Sequence, residues 1–557
     1  MKLALFNIVA EDDFDQLAPV GLGYLKSYLE RESTRVEASI LSSIDELWDG
    51  GFDAVGLSCM SQDYCRAQAI AADVKTRLGI PIILGGFHIS MLPGSLAPTM
   101  DVGVVGEGEQ TLVDLVELFE RQKHFAPEDL KNIPGLVYRA EDGRLERTSH
   151  REEIRPLDRL PFPDRAAGKR EWQSIYMFSS RGCPYRCVFC SSARFWKKTR
   201  YFSPEYVMSE LQHIVETYPS AKTISFSDDL FVADRGRFRR IVESIERQGY
   251  AERHSFTANV RADLVDEELC ELLVRGGIRQ VSFGLESANQ RVLNELKCGT
   301  LSVSRCQDAL DMLSRHHLVV NCTYIVGTPG ETEDEARETF EFVRRGFMAG
   351  TIAEAYCNIM CPLPGTPVWD AALRDGFVSE DMDWNRLSCY TWTGGGNYNL
   401  LSVDDWIARR ERDQSLYINP CVPVGRLYEL IREYEEKTFS SKMQVLAAGL
   451  RPRIVPWLRD IAREKRGARV VCYGACDMAG IVIDEARNEG ISVVGVADGN
   501  RQKQGRNFGG FTVIDRHGIA ELKPDAVLIC SQRRAQEICS QIEFLEAQDV
   551  AVYTIPG

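Results

Sequence analysis

At 557 residues the chain is too long for one hydrophobic core, and ordinary domain sizes divide it into three or four. Its 66 Lys and Arg against 81 Asp and Glu leave a net charge of −15, which argues against a nucleic-acid footprint because phosphate contacts need clustered cations. A hydrophobic fraction of 44 % with no apolar run of membrane-spanning length describes a soluble globular protein, so a small molecule or peptide is the default substrate. The first six residues give way to the acidic Glu11-Asp12-Asp13 before a secretory core can form, and the expected location is cytoplasmic. Seventeen scattered cysteines then read as free thiols rather than as a disulfide framework.

In chain order, strand-like runs at 2–8, 36–41, 54–57, 80–84 and 102–105 alternate with segments of helical period. This alternation predicts a doubly wound, Rossmann-like parallel sheet over residues 1–125. Such sheets bind ligands beyond the carboxyl ends of their strands. Small and polar residues gather there: Ser58-Cys59-Met60-Ser61 after the third run, Gly85-Gly86-Phe87-His88 after the fourth and Gly106-Glu107-Gly108-Glu109 after the fifth. Glycine lets the backbone approach a bulky ligand; read as tight strand-to-helix turns, the same residues need no ligand. Residues 126–170 are polar and turn-rich, a linker carrying a short hairpin at 136–147.

From 171 to 375 the alternation resumes, with strands near 175–178, 223–226, 255–257, 280–283, 319–324 and 354–361. Six strand-helix units predict a partial version of the eightfold TIM-type barrel, with reactive residues at the strands' carboxyl ends. The first end carries Arg181-Gly182-Cys183-Pro184-Tyr185-Arg186-Cys187-Val188-Phe189-Cys190. Three thiols so spaced, on a loop leaving a strand, can close on one face of a cubane cluster and leave its fourth iron without a protein ligand. A structural zinc site closes with four ligands, and no fourth Cys or His follows within twenty residues of Cys190. Three buried, idle cysteines are the remaining reading.

With Phe189 before the last cysteine, the loop resembles the signature of the radical S-adenosylmethionine (radical SAM) superfamily. The resemblance implies that Cys183, Cys187 and Cys190 hold a four-iron four-sulfur (4Fe–4S) cluster whose unique iron chelates S-adenosylmethionine, and that reductive cleavage yields a 5'-deoxyadenosyl radical. On the later strand ends it implies Asp228 and Asp229 as acceptors for the SAM amine, Arg261 as a clamp on its carboxylate, Glu286 toward ribose hydroxyls or the amine, and Gly327 in the adenine-side turn. Each also reads as part of a solvated loop or helix cap. Cys357 and Cys361 share one face of the last strand, either touching substrate or serving as small buried residues.

Together with the cysteine loop, the N-terminal segments resemble the cobalamin-binding domain of the cobalamin-dependent radical SAM enzymes. Ala18-Pro19-Val20-Gly21-Leu22-Gly23-Tyr24-Leu25 is similar to that domain's first helix entry, and the Gly-Gly-x-His and Gly-Glu-Gly-Glu segments to its later loops. The resemblance implies cobalamin contacts for Ser58, Ser61, Gly85, Gly86, His88, Gly106 and Glu107. The Asp-x-His-x-x-Gly motif that supplies a lower histidine to cobalt in mutases is missing, since no His precedes His88. His88, which follows the Gly pair, is expected at the cofactor tail or a helix cap, with ligation of cobalt as the lesser alternative. The methylthiotransferases share the layout but carry three cluster cysteines in their first domain; here residues 1–125 hold only Cys59 and Cys65.

Residues 376–460 read as a glycine-rich, substrate-facing loop around Trp384, Trp392, Gly394-Gly395-Gly396 and Tyr398, then a helical cap at 403–416 and 424–436, similar to anaerobic ring cyclases and methylases. Residues 466–557 restart as a strand-helix-strand pattern with Gly474-Ala475-Cys476-Asp477-Met478-Ala479-Gly480 and an Asp498 that lies 24 residues past the first Gly, echoing a dinucleotide fingerprint. A Cβ at Cys476 obstructs a pyrophosphate, so a Rossmann-like accessory domain is expected. The family resemblance implies a methyltransferase acting on an unactivated carbon of a small-molecule or natural-product substrate, supplied with electrons by a flavodoxin- or ferredoxin-type donor. Cyclisation or rearrangement with the same cofactors, and a non-catalytic cobalamin scaffold, are the alternatives.

Overall fold

Leu3, Ala4, Leu5 and Phe6 are all buried, a run apolar on both faces, and they form an inner strand of a sheet covered on both sides. The computed structural model describes residues 1–8, 19–165, 172, 174–387, 392–394, 403–500, 503–531, 535–548 and 550–555. They divide into two units, the first built from residues 1–342, 351–391 and 409–427, the second from 343–350, 392–408 and 428–557.

The first unit contains two large sheets and a separate two-stranded ladder. One comprises β1 (Lys2–Ile8), β2 (Glu37–Ile40), β3 (Ala54–Cys59), β4 (Ile82–Gly85), β5 (Val102–Val104), β6 (Leu136–Arg139) and β7 (Leu145–Arg147) in the order β2-β1-β3-β4-β5-β6-β7. β1 to β5 run parallel, and the strand order reverses between β1 and β3, which opens a crevice at their carboxyl ends. The hairpin expected within a linker is instead part of this sheet. β6 pairs antiparallel with β5, Val102 opposite Tyr138, because Leu136, Val137 and Tyr138 are all buried and cover the β5 edge.

The second sheet of this unit begins with β8 (Ser174–Met177). A two-residue ladder follows, β9 (Ser180–Arg181) against β10 (Arg200–Tyr201), and then β11 (Thr223–Phe226), β12 (Ser255–Val260), β13 (Ile278–Glu286), β14 (Val319–Val326) and β15 (Glu354–Ile359). The six longer strands are parallel in the order β15-β14-β13-β12-β11-β8, a partial barrel. Burial alternates along β12: Phe256, Ala258 and Val260 are buried, whereas Ser255, Thr257 and Asn259 are half-buried. Helix starts are capped where the sequence supplies an Asp, Asn or Ser, as at Asp266, Asn289 and Ser302, each accepting a backbone N–H of the first turn.

In the second unit, Asn507–Phe508, Phe511–Ile514, Ser492–Ala497, Arg469–Tyr473, Ala526–Ile529 and Ala551–Thr554 form one sheet in that spatial order, and the helix Asp477–Asn488 follows the turn at Gly474. The helix expected at 424–436 runs from Val424 to Glu464, through Pro452 and Pro456. Gly395, Gly396 and Tyr398 of the expected glycine-rich loop, and Ala18, lie outside the described residues. No helix among the described residues is long and apolar enough to cross a membrane.

Candidate active site

The β9–β10 ladder brings the two ends of the cysteine loop together. Within the loop, Cys190 N donates to Cys187 O at 3.3 Å and Val188 N to Leu296 O at 3.1 Å, which docks the loop on the end of the helix Gln290–Lys297. Cys183, Cys187 and Cys190 are half-buried free thiols near enough to influence one another's ionisation. Burial pushes the Cys183 thiol up to about 11, so positive charge is needed to ionise it. No trio of His, Cys, Asp or Glu among the described residues grips a single ion; a cubane, whose iron corners stand apart, asks for wider-set thiols. Phe189 packs into the hydrophobic core, with Lys297 Nζ at 5.8 Å from its ring centre.

Facing this loop across the crevice of the first sheet is a cavity of about 470 Å³. One wall comes from Asn7, Ser58, Gly85, Gly86, Phe87 and Gly106 at the strand ends, with Gly21 on the first helix; the other comes from Phe178, Arg181, Gly182, Ser192, Phe195, Trp196 and Asp229. A Cβ added at Gly21 or Gly106 would meet no atom within 4 Å. Gly86 is required for a different reason: its φ is +98°, and a Cβ there would sit 2.6 Å from Cys59 O.

Glu107 lies in the cavity wall but is fully engaged. It accepts from Arg181 Nη1, from Arg200 Nη1 at 3.0 Å and Nη2 at 2.9 Å, and from Ile154 N at 2.8 Å. Burial works to raise its carboxyl, but the two guanidiniums win and hold it below the usual carboxylate range. Arg181 also donates to Glu109. The loop after β5 and the cysteine loop are thereby tied by a buried ion network.

Seven expected cofactor contacts, Ser61, His88, Phe189, Asp228, Arg261, Glu286 and Gly327, stand outside the cavity lining. His88 is completely buried, with Nδ1 3.1 Å from Ser61 Oγ, Nε2 2.9 Å from Ser95 Oγ and its ring stacked on Tyr64 at 3.8 Å. Burial drops it to about 3, so it is neutral, and Ser61 serves as its partner. Asp228 is also completely buried and accepts from Ser179 N and Oγ and from Ser180 Oγ. Its neighbour Asp229 lines the cavity and accepts from Ser192 Oγ at 2.5 Å; burial raises its carboxyl against that hydrogen bond.

The remaining expected residues cluster beside the cysteines or at the β14 end. Glu286, in a left-handed conformation with φ +62°, accepts from Lys297 Nζ at 2.8 Å. Arg261 Nη1 is 3.7 Å from Cys187 Sγ. Gly327 has φ +72° and donates its N–H to Glu331 Oε2 at 2.6 Å; a Cβ on it would strike Tyr417 at 2.8 Å. Burial lifts the Glu331 carboxyl to about 7, its second oxygen making no hydrogen bond. Cys357 is fully buried.

Sequence reasoning missed Arg181, Arg200 and Lys297. Lys297, at the last turn of its helix, reads as an ordinary complement to the helix dipole, and only its 7 % exposure separates it from one. In the second unit Asp498 accepts from Ala475 N at 2.8 Å, and Lys503 bridges Asp498 and Ala475 O, so the acid clamps its own glycine turn.

Comparison with known proteins matches the Radical SAM superfamily over residues 177–343, the B12 binding domain over 8–116 and the C2185-like, N-terminal family over 467–551. The chain is 29 % identical over 390 residues to an uncharacterized methyltransferase of Pyrococcus horikoshii, covering 66 % of this chain and 81 % of that protein. It is 30 % identical over 308 residues to the anaerobic magnesium-protoporphyrin IX monomethyl ester cyclase of Rubrivivax gelatinosus, covering 52 % of this chain and 54 % of that one. The fold is similar to that of the radical S-adenosylmethionine methyltransferase TsrM from Kitasatospora setae, solved with cobalamin and a 4Fe–4S cluster, with a TM-score of 0.58 at 17 % identity over 79 % of this chain and 88 % of that one. A radical SAM barrel joined to a B12-binding sheet defines the class. The chain belongs to the cobalamin-dependent radical SAM enzymes, whose cofactors are a 4Fe–4S cluster, S-adenosylmethionine and cobalamin. Its residues fit these groups: three free thiols close enough to influence one another share one bracketed loop, and at Gly21 and Gly106 the crevice has open space where a side chain would stand.

Proposed function

We propose that the protein is a methyltransferase that carries a methyl group from S-adenosylmethionine, by way of cobalamin, to an unactivated carbon of a small molecule. The observation that carries this reading is one cavity walled on one side by the glycine-lined strand ends of the B12-binding sheet and on the other by Arg181 and Gly182 at the head of the cluster loop and Ser192, Phe195 and Trp196 just after it, with the three cysteines outside its lining. A methyl carrier and a radical generator then open onto one space. When bound, the cluster and cobalamin supply one-electron cleavage of S-adenosylmethionine and methyl transfer. Cys183, Cys187 and Cys190 would hold the cluster; Ser58, Gly85, Gly86 and Gly106 would take the cobalamin face.

The chain's own residues would position and shield. Phe87 and Phe195, 4.5 Å apart, and Trp196, 4.6 Å from Phe195, form an aromatic wall that keeps water from a reactive centre. Asp229, which accepts from Ser192 and lines the cavity, would be the acceptor for an amine. A flavodoxin- or ferredoxin-type protein would deliver the electron.

The test is anaerobic reconstitution followed by incubation with dithionite and methyl-deuterated S-adenosylmethionine. Formation of 5'-deoxyadenosine together with S-adenosylhomocysteine, and label in a product, is the expected result. The cyclase relative supports a second reading, cyclisation or rearrangement, in which 5'-deoxyadenosine forms without label transfer. Label-free product with stoichiometric 5'-deoxyadenosine would replace the first reading by the second.

A further inference from the structure

Arg261 stands at the carboxyl end of β12, where a guanidinium is expected to hold the S-adenosylmethionine carboxylate, yet its Nη1 is turned to the cluster loop. Nε donates to Asp263 Oδ1 at 2.8 Å and Nη2 to Thr300 Oγ1 at 2.5 Å. Its plane lies 3.8 Å from the ring centre of Tyr185, whose hydroxyl donates to the other oxygen of the same Asp263 at 2.6 Å. Held at three points, the guanidinium presents Nη1 to Cys187 Sγ at 3.7 Å. Arg261 is 5 % exposed, so water screens its charge poorly. The other buried cation nearby, Lys297, is neutralised by Glu286 at 2.8 Å. Asp263, the partner of Arg261, has a side chain 27 % exposed and is the better screened of the two.

We propose that Arg261 is a positioning residue for the cluster, an N–H donor and fixed positive charge on the Cys187 sulfur that makes the cluster easier to reduce, with Asp263 setting how much of that charge is felt. An iron–sulfur cluster gains negative charge on reduction, and hydrogen bonds or cations at its sulfurs favour the reduced state. The role stands on the cluster alone and not on methyl transfer, so its test needs neither S-adenosylmethionine nor substrate.

The experiment is an EPR-monitored redox titration of the reconstituted full-length protein, with iron and sulfide content measured on every sample. Arg261→Gln is expected to move the midpoint potential negative, lowering the ratio of reduced to oxidised cluster at a fixed solution potential about tenfold, which for one electron is about 59 mV. Asp263→Asn removes the counter-charge and is expected to move the midpoint the other way; Arg261→Lys, keeping charge but losing the fork, falls between wild type and Arg261→Gln. Opposite signs for the Gln and Asn variants are the result a merely structural role would not produce. Should Arg261→Gln fail to hold a cluster, the Lys and Asn pair decides by the same signs. Unmoved midpoints, or shifts of one sign in both positions, overturn the proposal.

Discussion

Glu107, on the loop after β5, and Arg181, two residues ahead of the first cluster cysteine, form a buried ion pair with side chains 7 % and 11 % exposed, so the B12-binding sheet and the cluster loop are fixed to each other through one carboxylate. Arg200 binds the same carboxylate. Glu107→Ala leaves two buried guanidiniums short of a partner, and a loss of about 3 kcal/mol is expected, the low end for a broken buried pair because Glu109 and Glu153 remain. Urea unfolding at neutral pH reads it, and an unchanged midpoint would show the network to be idle. The folded carboxyl lies below its usual value, so the contribution is complete above the ordinary 4.5 and is lost as pH falls through the folded one.

His88 predicts a different acid response. Its folded value of about 3 lies below the ordinary 6.5, so between those limits the unfolded chain takes up a proton that the fold refuses. Stability therefore falls as pH drops from 6.5, by about 1.4 kcal/mol for each unit well below it. His88→Gln should remove this slope, read from urea midpoints at pH 7 and 5.5. The cob(II)alamin EPR spectrum should be the same in both proteins, since both ring nitrogens face serines; a changed nitrogen splitting would make His88 a cobalt ligand.

Gly21 lines the cavity at an ordinary helical position, so a side chain there adds bulk without backbone strain. Gly21→Leu is expected to leave the circular dichroism spectrum intact and to weaken cobalamin binding at least about tenfold, the equivalent of about 1.4 kcal/mol. Equilibrium dialysis with hydroxocobalamin measures this; full affinity would move the cofactor away from that wall.

Glu331 carries its carboxyl at about 7 in the fold, above the ordinary 4.5, so the fold holds a proton that the unfolded chain releases, and stability declines as pH rises from 4.5 to 7. Glu331→Gln keeps an oxygen for the Gly327 and Thr328 N–H groups and never ionises. Its stability relative to wild type should improve between pH 5 and 8 by roughly 3 kcal/mol at most. A pH-independent difference would mean that the carboxyl is already charged at pH 5.

The parallel strands, the cysteine loop and the glycine crevice were legible because each has a local signal: apolar runs at fixed intervals, thiol spacing, and glycine at strand ends. Burial of neighbours was not. Asp228 and Asp229 are adjacent and chemically identical, yet one is sealed among serines and the other lines the cavity, a choice made by the packing of β8 and β11. The hairpin at 136–147 looked polar because β7 is solvent-facing, which hid the buried face that β6 presents to β5. Glu107 read as a cofactor contact because its two arginine partners lie 74 and 93 residues further along the chain.

The ladder at the neck of the cysteine loop bears on survival in air. Ser180–Arg181 and Arg200–Tyr201 join the loop ends by backbone hydrogen bonds, and Arg186 donates to the carbonyls of Ala193 and Lys197. These protein contacts meet part of the closure entropy of that segment. Oxygen damage to a cluster held there would thus leave the ladder and the Arg186 hydrogen bonds as chemically inert ties across the loop, since none of them uses a thiol.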